Sequence, residues 1–148
     1  MRPTIYIGSD HAGFTLKNHL VEFLVDHGYT VVDEGAHELD LQDDYPDFAL
    51  AVGKRVAAEH ARGILLCGNA EGICIAANKM KNIRAAIGYS VYAARTTRED
   101  DDANVICLPG RVLKRAEAEK ITLAFLTAHF SGAARHERRL KKVKNLEK

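Results

Sequence analysis

The chain has few cysteines, only Cys67, Cys74 and Cys107 in 148 residues, and no two of them form a Cys-x-x-Cys pair. An odd number without that spacing argues against a disulfide framework and a zinc ribbon, and points to a reducing, cytoplasmic setting. Long apolar runs are also missing. The longest are stretches such as Phe48 to Val52 and Ile64 to Cys67, and Met1 to Phe14 lacks an apolar h-region. Neither a membrane span nor a secretory leader is expected. No internal repeat or low-complexity stretch breaks the chain, and residues 1–148 read as one domain. A core of this size buries roughly two-thirds of the unfolded surface and needs neither disulfide nor metal.

Charge of one sign is nearly absent as an excess, since the formal net charge is +1. That balance conceals a split. Residues 135–148 hold seven Lys/Arg against two Glu, which leaves 14 basic and 18 acidic side chains in the other 134 residues. No aromatic interleaves with the basic tail, so single-stranded nucleic acid is not the expected partner. Leu140, Val143 and Leu146 recur every three residues there and predict a helical arm that lays one apolar stripe on a partner subunit.

What is present is a rhythm of short apolar strands and amphipathic helices. Thr4 to Gly8, Tyr29 to Val32, Gly63 to Cys67, Arg84 to Gly88 and Asn104 to Leu108 read as strands. Between them, Leu16, Leu20, Phe23, Leu24 and His27 keep helical spacing up to a Gly28 stop, and a helix starts at Tyr45-Pro46. Further helices are expected over Ile73 to Lys79, from about Ser90, and over about Lys114 to Ala128. Parallel strands need crossovers, and right-handed crossovers place helices on both faces. The expected fold is therefore α/β, a doubly wound, Rossmann-like five-stranded parallel sheet, with the basic helical tail added.

In such a sheet, ligands sit beyond the carboxyl ends of the strands, so the residues just after each strand carry the chemistry. Cys67 ends the third strand before a turn into a helix. There the helix's unpaired N–H groups and positive end would favour a thiolate base or nucleophile, although a cysteine in that place is as often a packing residue. Cys107 is read as packing. The turn Gly68-Asn69-Ala70-Glu71-Gly72 can offer successive N–H groups to an oxyanion, but it matches neither Gly-x-Gly-x-x-Gly nor a Walker loop. Asp10 can hold sugar hydroxyls and His11 can meet a phosphate. Arg135 and Arg139 lie four apart with His136 beside them, so two guanidiniums can share one phosphate. A solvated basic helix is the competing reading. The run Glu99 to Asp102 lacks the glycine-punctuated spacing of a calcium loop, and no metal is expected.

Five stretches taken together carry a resemblance. They are Gly8-Ser9-Asp10-His11-Ala12-Gly13-Phe14, Asp44-Tyr45-Pro46-Asp47-Phe48-Ala49, Ile75-Ala76-Ala77-Asn78-Lys79, Ile83-Arg84-Ala85-Ala86, and Arg135-His136 to Arg139. In this order they resemble the ribose-5-phosphate isomerase B and galactose-6-phosphate isomerase family over essentially the whole chain. The resemblance implies aldose–ketose isomerisation of a sugar phosphate through an enediolate, without a cofactor. It also implies a homodimer, or a tetramer built on one, with active sites at the subunit interface. By position, Cys67 matches the base of the family's cysteine branch, Asp10 a contact to sugar hydroxyls, and Gly68 to Gly72 the anion-stabilising turn. His11, Arg111, Arg135 and Arg139 match phosphate contacts.

Two departures bear on the substrate. The family's ribose-phosphate enzymes typically read His-Asn-Asp where this chain has Asp100-Asp101-Asp102, so Asp100 stands where the ring-opening histidine is expected and Asp101 beside it. Asn69-Ala70-Glu71 replaces a more usual Ser/Thr-Gly and an uncharged residue. An aspartate must be protonated to open a furanose, whereas a tetrose 4-phosphate cannot close that ring at all. The related pentose and tetrose phosphates are therefore both candidate substrates, with Asp100 as a catalytic and Asp101 as a binding candidate. A non-catalytic sugar-phosphate-binding module is the alternative from another class, and a flavodoxin-like nucleotide binder the third.

Overall fold

The computed structural model of the chain describes residues 1–147, and Lys148, the end of the expected arm 135–148, lies outside the described residues. Strands β1 (Ile5–Ser9), β2 (Val31–Asp33), β3 (Arg62–Cys67), β4 (Ala85–Ile87) and β5 (Val105–Pro109) are all parallel, in the order β2-β1-β3-β5-β4. Helices α1 (Phe14–Asp26), α2 (Tyr45–Glu59), α3 (Glu71–Ala77), α4 (Val91–Asp101) and α5 (Arg115–Thr127) follow the strands, and α6 (Ala134–Lys144) forms the basic arm. The expected doubly wound sheet is found, with strand ends shifted by one or two residues.

Side chains alternate across a strand, and that alternation sorts the core into two layers. Ile5, Ile7, Ile64, Leu66, Ile106 and Leu108 face α1, α4 and α5. Tyr6, Leu65, Cys67, Val105 and Cys107 face α2 and α3. Cys67 therefore points to the α2–α3 layer by register alone. The helix boundaries have local causes as well. Pro46 lies in the first turn of α2, the Ser90 hydroxyl accepts the Ala93 amide at 3.0 Å to open α4, and Gly28 turns the chain after α1 with φ of 78°.

The acidic run ends α4 against its own dipole, which two guanidiniums offset. Arg98 Nη1 donates to Asp102 Oδ1 at 2.7 Å and to the Ala103 carbonyl at 2.6 Å. Arg84 Nη2 donates to Asp102 Oδ2 at 3.0 Å and to the Asp102 carbonyl at 2.8 Å. The stripe expected on a partner behaves differently within one chain. Leu140, Val143 and Leu146 face a groove of about 470 Å³ whose other wall includes Ile83, Ala85 and Ala86 of the same chain. The covering is loose, since Val143 and Leu146 stay 48% and 78% exposed.

Sequence periodicity places an apolar face on α1 but does not show that Lys17 lies inside it. Lys17 is 0% exposed, and its Nζ meets Asp33 Oδ2 at 2.5 Å, tying α1 to the end of β2. Asp33 Oδ1 also accepts the Gly35 amide at 2.8 Å. Removing the carboxylate strands an ammonium away from water, while removing the ammonium leaves a carboxylate that water still reaches. Asp33→Ala is therefore expected to lower unfolding free energy by about 3–5 kcal/mol and Lys17→Met by about 1–3 kcal/mol. Urea denaturation checks the order, and a smaller loss in Asp33→Ala contradicts the account.

Candidate active site

The strand order reverses between β1 and β3, and a crevice opens at their carboxyl ends. The loops after β1, β3 and β5 converge there because their backbones touch. A Cβ on Gly110 would stand 2.8 Å from the Ala12 carbonyl oxygen and from Gly13 Cα, so only glycine lets the β5 loop close on the β1 loop. The Gly110 amide donates to the Cys67 carbonyl at 2.8 Å, and the Arg111 amide to the Gly68 carbonyl at 3.1 Å. The resulting cleft holds about 360 Å³ and is lined by Asp10, His11, Tyr45, Cys67, Asn69 and Arg111, among others. The groove under α6 is larger but gathers no comparable set of base, imidazole and guanidinium.

Each wall of the cleft has a local cause. Asp10 Oδ1 accepts the amides of Ala12 at 3.0 Å and Gly13 at 3.3 Å, which fixes the carboxylate at the entry to α1. His11 is held twice by one oxygen: Asp43 Oδ1 accepts its amide at 2.9 Å and lies 2.7 Å from its Nδ1. Nε2 is then the ring nitrogen left for a ligand. Arg111 lies over Gly68, where a Cβ would come within 2.9 Å of its Nη1, and the Tyr45 ring lies over Gly72 in the same manner. The groups converge on Cys67, which is only 3% exposed yet lines the cleft.

The turn after Cys67 differs in detail from the expectation. Ala70 adopts φ of 67°, the left-handed conformation that glycine takes without strain, and is buried. The Glu71 amide is already capped by Asn69 Oδ1 at 3.2 Å, and the Glu71 carboxylate turns outward beside Asn69 Nδ2 at 3.4 Å. Asn69 Oδ1 is also what the Cys67 thiol meets, at 3.9 Å. The sulfur thus faces a side-chain acceptor at the start of α3. Cys107 is a different kind of thiol. Burial first, and then a hydrogen bond to Cys74, push it well above the usual thiol range, while the Cys107 bond lowers Cys74. Packing, not chemistry, accounts for Cys107.

Not every expected residue joins this cleft. Cys67, Asp10, His11, Gly68, Asn69, Gly72 and Arg111 line it. Asp100 and Asp101 end α4, and Arg135 and Arg139 lie exposed on α6. His136 turns inward and is 5% exposed, with Nδ1 3.0 Å from the Ser131 hydroxyl and 3.5 Å from Asp100 Oδ1. Within one chain the cleft lining carries a single arginine, Arg111, against the carboxylate of Asp10, with Asp43 behind His11. Sequence reading missed Val112 in the lining and Asp43 behind His11, the latter because nothing local links it to a histidine 32 positions earlier. Tyr45 lay within a resembling stretch and carried a signal. Asp10, His11 and Asp43 offer ligand atoms within 4.8 Å of one another, but Asp43 Oδ1 and His11 Nδ1 are engaged with each other and Asp10 Oδ1 with two amides.

Comparison with known proteins gives consistent findings. The model of a family described as Ribose/Galactose Isomerase matches residues 5–143. Ribose-5-phosphate isomerase B of Mycolicibacterium paratuberculosis is 42% identical over 137 residues, spanning 92% of this chain and 86% of the relative. The crystal structure of ribose-5-phosphate isomerase B from Mycoplasma genitalium with bound ribulose-5-phosphate superimposes with a TM-score of 0.94 at 43% identity, covering 97% of this chain and 95% of that one. Ribose-5-phosphate isomerase B of Clostridium thermocellum gives a TM-score of 0.93 at 43% identity, with 97% of each chain covered.

The double grip on His11 has a direct spectroscopic consequence. Imidazole 15N shifts at pH 8.5 are expected to show the His11 proton on Nδ1 in the native protein. In Asp43→Ala that proton is expected on Nε2, with stability lowered by about 1–3 kcal/mol from the two lost bonds. An unchanged tautomer in the variant shows that Asp43 does not orient the ring.

Proposed function

The chain belongs to the Ribose/Galactose Isomerase family, and from that premise we propose how it works as a sugar-phosphate isomerase: Cys67 moves a proton between C1 and C2 of an open-chain aldose or ketose phosphate. Cys67, as thiolate, removes the C2 proton of the aldose. The electron pair becomes the C1–C2 double bond and the carbonyl oxygen becomes the enediolate oxygen. The Gly68 to Gly72 turn stabilises that oxygen. Return of the proton to C1, with proton exchange between the two oxygens, yields the ketose, and no electrons leave the substrate. Asp10 binds the sugar hydroxyls. The observation that carries this reading is Cys67 standing on one 360 Å³ cleft with Asp10, His11 and Arg111. Relatives named as isomerases along most of the chain, together with that set, leave the non-catalytic module without support.

Residues 1–148 act as one isomerase domain and work as a homodimer or a larger assembly. A phosphate dianion needs more positive charge than Arg111 and His11 offer beside Asp10 and Asp43. Arg135 and Arg139, four apart on an exposed helix, supply it when a second copy brings α6 over the cleft, and Asp100 and Asp101 arrive with them. The edge strand β4 supports such a contact: among the described residues no strand pairs with its outer side, and Tyr89, Val91 and Tyr92 just beyond it are 68%, 46% and 66% exposed.

The relatives' names point to ribose 5-phosphate and ribulose 5-phosphate as the substrate pair. One observation favours a second reading. Asp100 lies 3.5 Å from His136 Nδ1, so an aspartate set against an imidazole stands where the ring-opening histidine is expected. That arrangement suits a substrate that needs no ring opened, a tetrose 4-phosphate. No cofactor enters the reaction. The setting is that of a cytoplasmic metabolic enzyme, and no helix among the described residues is long and apolar enough to cross a membrane.

Proton NMR in heavy water, with tetrose, pentose and hexose phosphates in turn, tests the chemistry and selects the sugar. Deuterium is expected at C2 of the preferred aldose. Cys67→Ala is expected to reduce exchange by at least about 1,000-fold, as loss of a positioned base does, and Cys107→Ala by less than about threefold. Equal losses in both refute Cys67 as the base. Mixing inactive Cys67→Ala with inactive Arg135→Ala/Arg139→Ala after subunit exchange is expected to restore about a quarter of native activity if the two groups act across the dimer. No recovery places both groups in the same chain's site.

A further inference from the structure

A second polar cleft lies at the amino ends of β3, β4 and β5, about 17 Å along β3 from Cys67. It holds about 310 Å³, and His60, Arg62, Asn82, Arg84, Asp102 and Lys144 are among its lining residues. Three permanent cations thus face one carboxylate, and that carboxylate is spent. Asp102 takes Arg84 at 3.0 Å and Arg98 at 2.7 Å. Arg84 and Arg98 are spent too, on the carbonyls that end α4. Asn104 is committed on both sides: its Oδ1 accepts the Arg84 amide at 2.8 Å and its Nδ2 donates to the Asn82 carbonyl at 2.7 Å.

Arg62 is different. Its side chain makes one hydrogen bond, from Nη1 to the Ala61 carbonyl at 3.1 Å, and pairs with no carboxylate among the described residues. Burial first, and then the charges of Arg98 and Arg84, pull its guanidinium below the ordinary arginine range, with Asp102 opposing them. The other nearby carboxylate, Glu147, accepts the Asn82 amide on Oε1 at 3.0 Å; its Oε2 is buried without a partner among the described residues, and Glu147 is not part of the cleft lining. A half-buried guanidinium with most of its donors uncommitted, beside a lysine and a side-chain amide, is the donor set that recognises a tetrahedral oxyanion.

We propose that this cleft is a binding site for a phosphate group, that of inorganic phosphate or of a small phosphorylated metabolite, with Arg62 as its fork and Lys144 and Asn82 as supporting donors. The site is separate from the Cys67 cleft and independent of the reading given to it. Its position at the opposite end of the same strands, next to the arm that carries Arg135 and Arg139, allows occupancy to bear on where that arm sits.

Phosphate titration of the 15N-labelled full chain by NMR resolves the two clefts. Inorganic phosphate is expected to shift two sets of amides, one over Gly68 to Gly72 and one over His60 to Arg62, Asn82 and Asn104. Arg62→Gln is expected to weaken the second set by roughly tenfold, the loss of one charged hydrogen-bonding group, while the first set keeps its affinity and reports that the fold is intact. Lys144→Gln, at an exposed position, is expected to weaken the second set by about threefold. Pyrophosphate and ribulose 5-phosphate, titrated alongside, distinguish the sources, the tighter of the three naming the ligand. If Arg62 only offsets the carboxyl end of α2, no second set appears and the proposal is overturned. A second set that persists unchanged in Arg62→Gln overturns it equally.

Discussion

The parallel register of β3 between β1 and β5 is the constraint on which the site depends. Ser9 pairs with Leu66, and Cys67 with Pro109, so the three strands end level. Level ends put three loops into one plane, and side-chain alternation then turns Cys67 toward α2 and α3, away from the α1 layer. A one-residue slip of β3 would carry Leu66 to that place and bury the thiol among Leu20 and Leu24 on the other face. The fully buried strand residues that look like mere core are therefore what aims the sulfur.

Charge in this molecule is arranged by where backbone dipoles need compensation. At the amino end of the sheet, α4 terminates in acidic residues against its own negative end, and Arg84 and Arg98 are drawn there as counter-charges. At the carboxyl end, the cleft has anionic character because Asp10 and Asp43 serve the backbone and His11 before any ligand arrives. The body of the chain is thus poor in positive charge where a phosphorylated substrate would enter. The strongly basic helix is carried elsewhere, on an arm joined to α5 by residues 128–133.

How much of this could be read from residues follows from the range of the interactions. Cys67, Gly68 and Arg111 were legible because a strand end followed by glycine is a local pattern, and the topology supplies the rest. The start of α2 at Tyr45-Pro46 was legible for the same reason. Asp43 and Lys17 were not: their partners lie 32 and 16 positions away, and an aspartate in an acidic loop or a lysine on a helix looks like solvated surface until the fold closes. The helix start after Cys67 was legible as a local pattern, whereas the Asn69 side chain folding back onto the Glu71 amide and meeting the sulfur needed the structure. The stripe on α6 was read correctly as apolar, while its seat along Ile83 to Ala86 needed the position of β4.

That loose seat explains why the arm can serve two masters. Leu140 is partly covered and fixes the direction of α6, whereas Val143 and Leu146 remain exposed enough to accept further contact. His136, turned inward against Ser131 and Asp100, pins the start of the helix to the end of α4. Arg135 and Arg139, four apart on one side of the helix, remain exposed beside that anchor. A helix fastened at one end by a buried imidazole, with its guanidiniums exposed, fits the proposal that it acts on a second copy. In the proposed assembly, the cleft at Cys67, with Arg111 as its one lining arginine, is what that face of α6 would complete.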